Sequence, residues 1–483
     1  MRKKFAVQYE LGATPVEKIR LPLKSRDELP PVLRALQYIY STPEVNSLVF
    51  ALLEKKIMAN VKKTGRNGMS LWEILVFSTV RLALDANFDR LEHMVNYDNL
   101  VRSFVGIPSF GENLKQYSLQ SLKDNVQLFD DQTFYEINQL VVGSGYSLKK
   151  NENLDVHIDS YVLETNVHFP TDLNLLYDAG RKSIELVGQL SQAFALAGWR
   201  KYKDWRKRLK RAYHKAAKAN RGKAAHPEKA MAAASEYLSL AEELSEKLNR
   251  SIDSLACIRT ISAYYRIIFN KLIYFKEHLD KHIDLVRRRL IWDESIPHAE
   301  KVFSLFEPYT EWIKKGKTRN EVELGLRIAI AADQHGFVLD YRVMQNEQDV
   351  DIAVPLGRRV LGRYSINSLS FDKGFWSPQN YKQLQGLVPH LIMPKKGKLS
   401  QADKERESTK SFQKFRHQHA AVESAINCLE HHGLNRCPDK GLAGFKRYTA
   451  IGMLAYNLHK LGNILLERDR AELSKNERIK KAA

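Results

Sequence analysis

Residues 154–166 constrain this chain more than any other stretch. Leu154, Val156 and Ile158 alternate with polar neighbours, which predicts a strand with one buried face, and Asp159 stands at its centre. A carboxylate on a strand is held in place by the sheet ladder, so it serves chemistry well when other acids converge on it. Two further acids have suitable settings. Ser368-Leu369-Ser370-Phe371-Asp372 reads as another strand ending in a carboxylate, and Ala420 to Asn427 has helical character that would lay Glu423 over the sheet. Two strand acids and one helix acid can hold two divalent cations about 3.5–4 Å apart, the spacing used in phosphodiester chemistry. Mg²⁺ or Mn²⁺ is the expected cofactor, since hard cations of this kind prefer carboxylate oxygens and keep positions open for water and phosphate.

Charge points to the substrate. Lys and Arg number 76 against 56 Asp and Glu, a net charge of +20, and part of the excess is clustered, which favours nucleic acid over membrane. No run of about 18 uninterrupted apolar residues occurs, and Met1-Arg2-Lys3-Lys4-Phe5 is not followed by an apolar stretch, so neither a membrane span nor a signal peptide is expected. Three scattered cysteines (Cys257, Cys428, Cys437) suit a reducing compartment. The expected location is the cytoplasm.

At 483 residues the chain should form more than one domain. Residues 1–150 read as a helical N-terminal domain that could bind DNA. Ser70 and Glu73 predict a capping box ahead of an all-round apolar helix, and Asp89 and Glu92 have cap spacing ahead of a second. Residues 151–180 begin the core with the Asp159 strand. Residues 181–315 look helical and carry a basic run interleaved with Trp199, Tyr202 and Trp205, comprising Arg200, Lys201, Lys203, Arg206, Lys207, Arg208, Lys210 and Arg211. These aromatics either stack on bases or pack inward, while the cations suit phosphates. Residues 316–470 complete the core. Val322–Asp333 and Phe337–Met344 predict a hairpin across a Gly-ended turn, and further basic candidates for DNA contact are Lys395, Lys396, Lys446 and Arg447. Residues 471–483 form a basic tail.

Three segments resemble the acid-bearing motifs of DDE-type bacterial insertion-sequence transposases, nearest to the group called ISNCY. They are Ile158 to Asp172, Leu369 to Asn380 and Ala421 to Leu434, with further likeness at Gly65-Arg66-Asn67-Gly68-Met69-Ser70 and from Gly444 to Gly462. The resemblance implies an α/β chain with an RNase H-like mixed-sheet catalytic core, preceded by the helical N-terminal domain and interrupted by the long helical insertion. It also implies metal-dependent DNA cleavage at element ends followed by strand transfer to target DNA, with Asp159, Asp372 and Glu423 as catalytic metal ligands for two ions. Two element ends must be held together, so a homodimer or larger assembly on DNA is expected. One departure stands out: where related families often carry Arg four residues before the Glu and Lys seven after it, this chain has His419 and Glu430. A catalytically silent DNA-binding regulator and a nuclease without strand transfer are the rival readings.

Other residues have simpler explanations. Glu430 returns to the helix face of Glu423 but ranks behind it as third acid. Asp155 lies on the strand face of Asp159 but roughly 13 Å along it. Asp333 ends a strand at a turn. Cys428, His431, His432 and Cys437 have the look of a compact zinc set, yet adjacent helical histidines point apart. His168 and His335 read as turn or partly buried residues.

Overall fold

The computed structural model describes residues 12–58, 68–108, 114–150, 152–221, 225–257, 262–314 and 322–482. Gly65-Arg66-Asn67 and the boundary expected between residues 315 and 316 lie outside the described residues. The chain divides into two compact units, Met1–Asn166 with Ile313–Ala483, and Val167–Trp312.

In the first unit, among the described residues, seven α-helices precede the sheet: α1 (Leu29–Ser41), α2 (Pro43–Met58), α3 (Leu71–Ala83), α4 (Phe88–Tyr97), α5 (Asn99–Phe104), α6 (Leu119–Val126) and α7 (Asp131–Leu148). The expected capping box starts α3, with Ser70 and Glu73 bonding each other's backbone N–H, and every residue of this helix is buried. Burial of Glu73 is made tolerable by Lys115 and Tyr117, which both donate to its carboxylate. The start of α4 departs from the Asp89–Glu92 expectation. Asn87 is the cap, because it has the extended backbone of a residue just ahead of the first turn, and its Oδ1 accepts from Arg90 N at 2.8 Å. Glu92 instead accepts from Leu119 N at 2.8 Å and ties α4 to α6. The chain then enters β1 (Leu154–Thr165).

The second unit is a helical bundle of α8 (Asp172–Phe194), α9 (Tyr202–Arg221), α10 (Pro227–Ala256) and α11 (Ala263–Leu290). Leu176, Leu209, Tyr237, Leu244 and Leu279 lie in its core. Helix begins earlier than residue 181, because Thr171 and Asn174 form a capping box at α8, and it ends at Leu290, ahead of mostly irregular chain. Trp199 is fully buried and donates from Nε1 to Ser251 Oγ at 2.8 Å, while Tyr202 and Trp205 pack against the same core. The aromatics of the basic run therefore pack inward, and the cations alone are left for solvent.

The chain returns to the sheet through β2 (Glu311–Lys314), β3 (Val322–Asp333) and β4 (Val338–Val343). There follow α12 (Asp349–Leu361), β5 (Ile366–Phe371), α13 (Pro378–Leu384), β6 (His390–Ile392), α14 (Gln401–Ser408), α15 (Lys410–Gln418), α16 (Ala420–Leu429), β7 (Arg436–Cys437) and α17 (Gly441–Ala482). The expected β3–β4 hairpin is present. The sheet is mixed, with antiparallel β4–β3–β1 continuing as parallel β1–β5–β6. Strand β1 is central. Its close pairing with β3 needs glycine at 325, where a Cβ would stand 2.1 Å from Leu163 O. Gly357 of α12 meets Leu369 and Phe371 on one sheet face, and α16 covers β1 and β3. Helix α17 packs along α7, α1 and α3, which joins the N-terminal helices to the sheet unit. At its contact with α1 a Cβ on Gly462 would lie 1.8 Å from Pro31 O.

Candidate active site

The sheet register assembles the acids. The last pair of the parallel β1–β5 ladder is Ile158 and Phe371, so Asp159, within β1, and Asp372, one residue past the end of β5, each follow it directly; paired strands run about 4.8 Å apart. Helix α16 crosses β1 and carries Glu423 in its first turn. Asp159 is half-buried, whereas Asp372 and Glu423 are exposed, so the group opens to solvent.

The charges of Asp372 and Glu423 reach Asp159. Burial, followed by the nearby charges of Asp372, Asp349 and Glu423, pushes the Asp159 carboxyl up to about 7, against the pull of the Ser160 N–H that it accepts at 2.7 Å. Asp372 caps the turn after β5 through Gly374 N at 3.5 Å. None of the three acids has an ion pair among the described residues. Hard oxygen donors carrying unneutralised like charge fit a divalent cation. Among the described residues no three His, Cys, Asp or Glu side chains are closed to metal-ligand spacing, so the fit is one of donor type and charge.

Asp349, a fourth acid, has no strand pattern to announce it. It opens α12, accepts from Ser160 Oγ at 2.7 Å and lies 3.9 Å from Arg327 Nη1. Neighbouring strand residues point to opposite faces, so this bond sits on the sheet face away from Asp159. Asp349 shapes the field of the site from behind.

The other weighed residues have structural partners. Asp155 accepts from Ser368 Oγ at 2.7 Å and Asn367 Nδ2 at 2.8 Å, stitching β1 to β5. Asp333 closes its turn by accepting from His335 N and Phe337 N. His335 bonds Glu152, and His168 bonds Asp178 at 2.7 Å. Glu430 begins a π-turn broken at Gly433. His432 Nδ1 lies 3.3 Å from Ala83 O and Cys437 Sγ meets Asp439 O, so these two members of the zinc-like set have backbone partners.

The basic candidates divide by exposure. Arg200, Lys201, Lys203, Lys210, Arg211 and Lys396 are exposed without an ion pair among the described residues. Arg206, Lys207 and Arg208 reach Glu185, Asp204 and Glu243 at 3.5, 3.8 and 3.3 Å, contacts weak enough for a phosphate to replace. Lys395 is held by Asp403 at 2.5 Å, and Lys446 and Arg447 are half-buried at the start of α17.

Residues 287–458, about a third of the chain, match the family model described as Transposase DDE domain. That span contains Asp372 and Glu423 and begins after Asp159. No curated protein and no solved structure matches. The match supports a DDE-type transposase, an enzyme of DNA transposition, and implies an RNase H-like fold, with which the mixed α/β sheet agrees. Among the described residues no helix is long and apolar enough to cross a membrane.

Proposed function

We propose that this chain is an insertion-element transposase of the ISNCY-like kind, which cleaves DNA at the element ends and transfers the freed strands to target DNA. The observation that supports this reading is the β1–β5 register, whose last pair, Ile158 and Phe371, directly precedes Asp159 and Asp372, on a strand covered by the helix of Glu423. Asp159, Asp372 and Glu423 would hold Mg²⁺ or Mn²⁺ as the pair of ions their donor set suits. Bound there, divalent metal supplies a deprotonated oxygen nucleophile and stabilises the leaving oxygen. The chain's own part is to fix the acids on rigid elements, leave two of them open to the scissile phosphate, and grip the DNA backbone with cations. Helix α9 suits that grip: Lys203, Lys207, Lys210 and Lys218 recur at helical spacing along one exposed side. Working on two ends at once calls for at least two copies of the chain on DNA.

The test is a cleavage and joining assay on labelled duplexes carrying the ends of the encoding element, with Mg²⁺ or EDTA. Asp372→Asn should lower cleavage about 100-fold or more, because several kcal/mol of charge stabilisation depends on the metal it holds, while DNA binding persists. Cutting without joining would favour a nuclease. Binding without cutting under any divalent metal would favour a regulator.

A further inference from the structure

Directly behind the three acids lies a second polar layer whose members are offset from them in a regular way. His157 and Ser370 are partners in the β1–β5 ladder, two residues before Asp159 and Asp372. Side chains two apart on a strand share a face, so each stands one pleat behind an acid. His419 lies one helical turn before Glu423, at the junction between α15 and α16, and side chains four apart on a helix share a side. The acids and the residues behind them thus come from the same three elements in the same order.

His419 joins that layer together. Its Nδ1 is hydrogen-bonded to Ser370 Oγ at 2.8 Å, and its ring meets the ring of His157 edge-on, with centroids 6.0 Å apart at 87°. His157 is fully buried. As the junction residue His419 makes no side-chain cap for α16, so the imidazole is committed to the sheet. Burial lowers its proton affinity, so it contributes geometry more than charge. A purely apolar residue could pack here but would let α16 rotate and slide, whereas a directed bond to β5 fixes the helix to the strand that carries Asp372.

We propose that His419, through its bond to Ser370 and its contact with His157, is a positioning residue that sets Glu423 against Asp159 and Asp372. Where related families often place a phosphate-binding Arg, this chain turns the side chain inward. This role rests on reading Asp159, Asp372 and Glu423 as the acid set. Outer residues that orient metal-binding groups commonly alter metal affinity about 10–100-fold.

The decisive measurement is Mn²⁺ binding to the full chain by calorimetry without DNA, alongside kcat and KM for cleavage. His419→Phe keeps a packed ring and removes the bond, Ser370→Ala removes the bond from the other side, and His419→Asn can restore it. Both bond-breaking variants should weaken Mn²⁺ binding about tenfold or more. They should lower kcat with KM for DNA unchanged, and combining them should cost little beyond the larger single effect. His419→Asn should recover most of the loss. Wild-type Mn²⁺ affinity in both bond-breaking variants overturns the role, and if His419→Phe fails to fold, Ser370→Ala decides. Asp372→Asn separates the two levels. If it is inactive while the His419 and Ser370 variants behave as wild type, only the positioning role falls; if it binds Mn²⁺ and cleaves normally, the acid set falls and the positioning role with it.

Discussion

The helical unit and the neighbourhood of Asp159 treat their acidic residues differently. In the helical unit Arg288 reaches Asp284, Glu294 and Glu300 at 3.3, 2.6 and 2.6 Å, and Arg289 reaches Asp172 at 2.7 Å. The sheet unit can do the same: fully buried Asp340 accepts from Arg359 at 2.8 Å, Tyr135 at 3.1 Å and Arg363 at 3.3 Å. Yet in that same sheet Asp159, Asp372 and Glu423 are left with one another's charge. The contrast separates acids that hold the fold together from acids whose repulsion is available to a cation.

Leu244→Ala would break this contrast most forcefully. Leu244 is fully buried in the helical core, and its truncation should cost about 2–5 kcal/mol in urea unfolding. Mn²⁺ affinity at the sheet acids should not change; a parallel fall would mean the two roles are not separable by unit. Gly462→Ala should come next, at about 1–3 kcal/mol, since a Cβ cannot fit against Pro31 O without moving α17 from α1. Melting with wild-type Tm would show that this packing yields easily.

Smaller effects sharpen the comparison. Replacing Lys203, Lys207 and Lys210 by Glu should weaken DNA binding across sequences and flatten its salt dependence by about one unit per lost phosphate contact, measured by anisotropy against salt. An unchanged slope would place the backbone contacts elsewhere. Both Asp159 and His168 hold their protons more tightly in the folded chain, so both make stability fall as pH rises, but their replacement should shift Tm in opposite directions. Asp159 has a raised folded value near 7, so its folded form binds a proton more tightly than the unfolded chain does, and stability falls as pH rises from about 4 through 7. Asp159→Asn should therefore raise Tm at about pH 8 and leave it unchanged at about pH 4. His168 is raised from its ordinary value by its bond to Asp178, so its contribution is complete below about 6.5 and lost as pH rises through the higher folded value. His168→Asn should lower Tm at about pH 5.5 and have little effect at about pH 9. Shifts of the same sign in both variants would remove this distinction between the units.

What could be read from the sequence was local. The β1 strand, the reciprocal Ser70–Glu73 cap and the β3–β4 turn each depend on neighbours within a few residues, and each formed, although alternation predicted one buried face for β1 and the sheet buries both, His157 as fully as Val156 and Ile158. The Asp89–Glu92 cap failed because Asn87 competed for the same helix start and Glu92 found Leu119, far along the chain. Asp349 carried no signal, since an acid in the first turn of a helix is ordinary and only Ser160 distinguishes it. The direction of Trp199, Tyr202 and Trp205 was open for the same reason: a basic and aromatic helix does not say which side its neighbours will cover.

By itself, then, the sequence determined the candidate acids, the charge that selects a polyanionic partner, and the periodicities that make strands and helices. Those are properties of residue types and short spacings. Only tertiary structure decided that the β1–β5 ladder would end on Ile158 and Phe371, just ahead of Asp159 and Asp372, that the helix of Glu423 would pack on β1, and that His419 would bond Ser370 instead of facing outward. Strand register and helix docking are set by packing between segments far apart in the chain, 49 residues for Ser370 and His419, where a slip of one residue along a strand would turn each side chain to the opposite face.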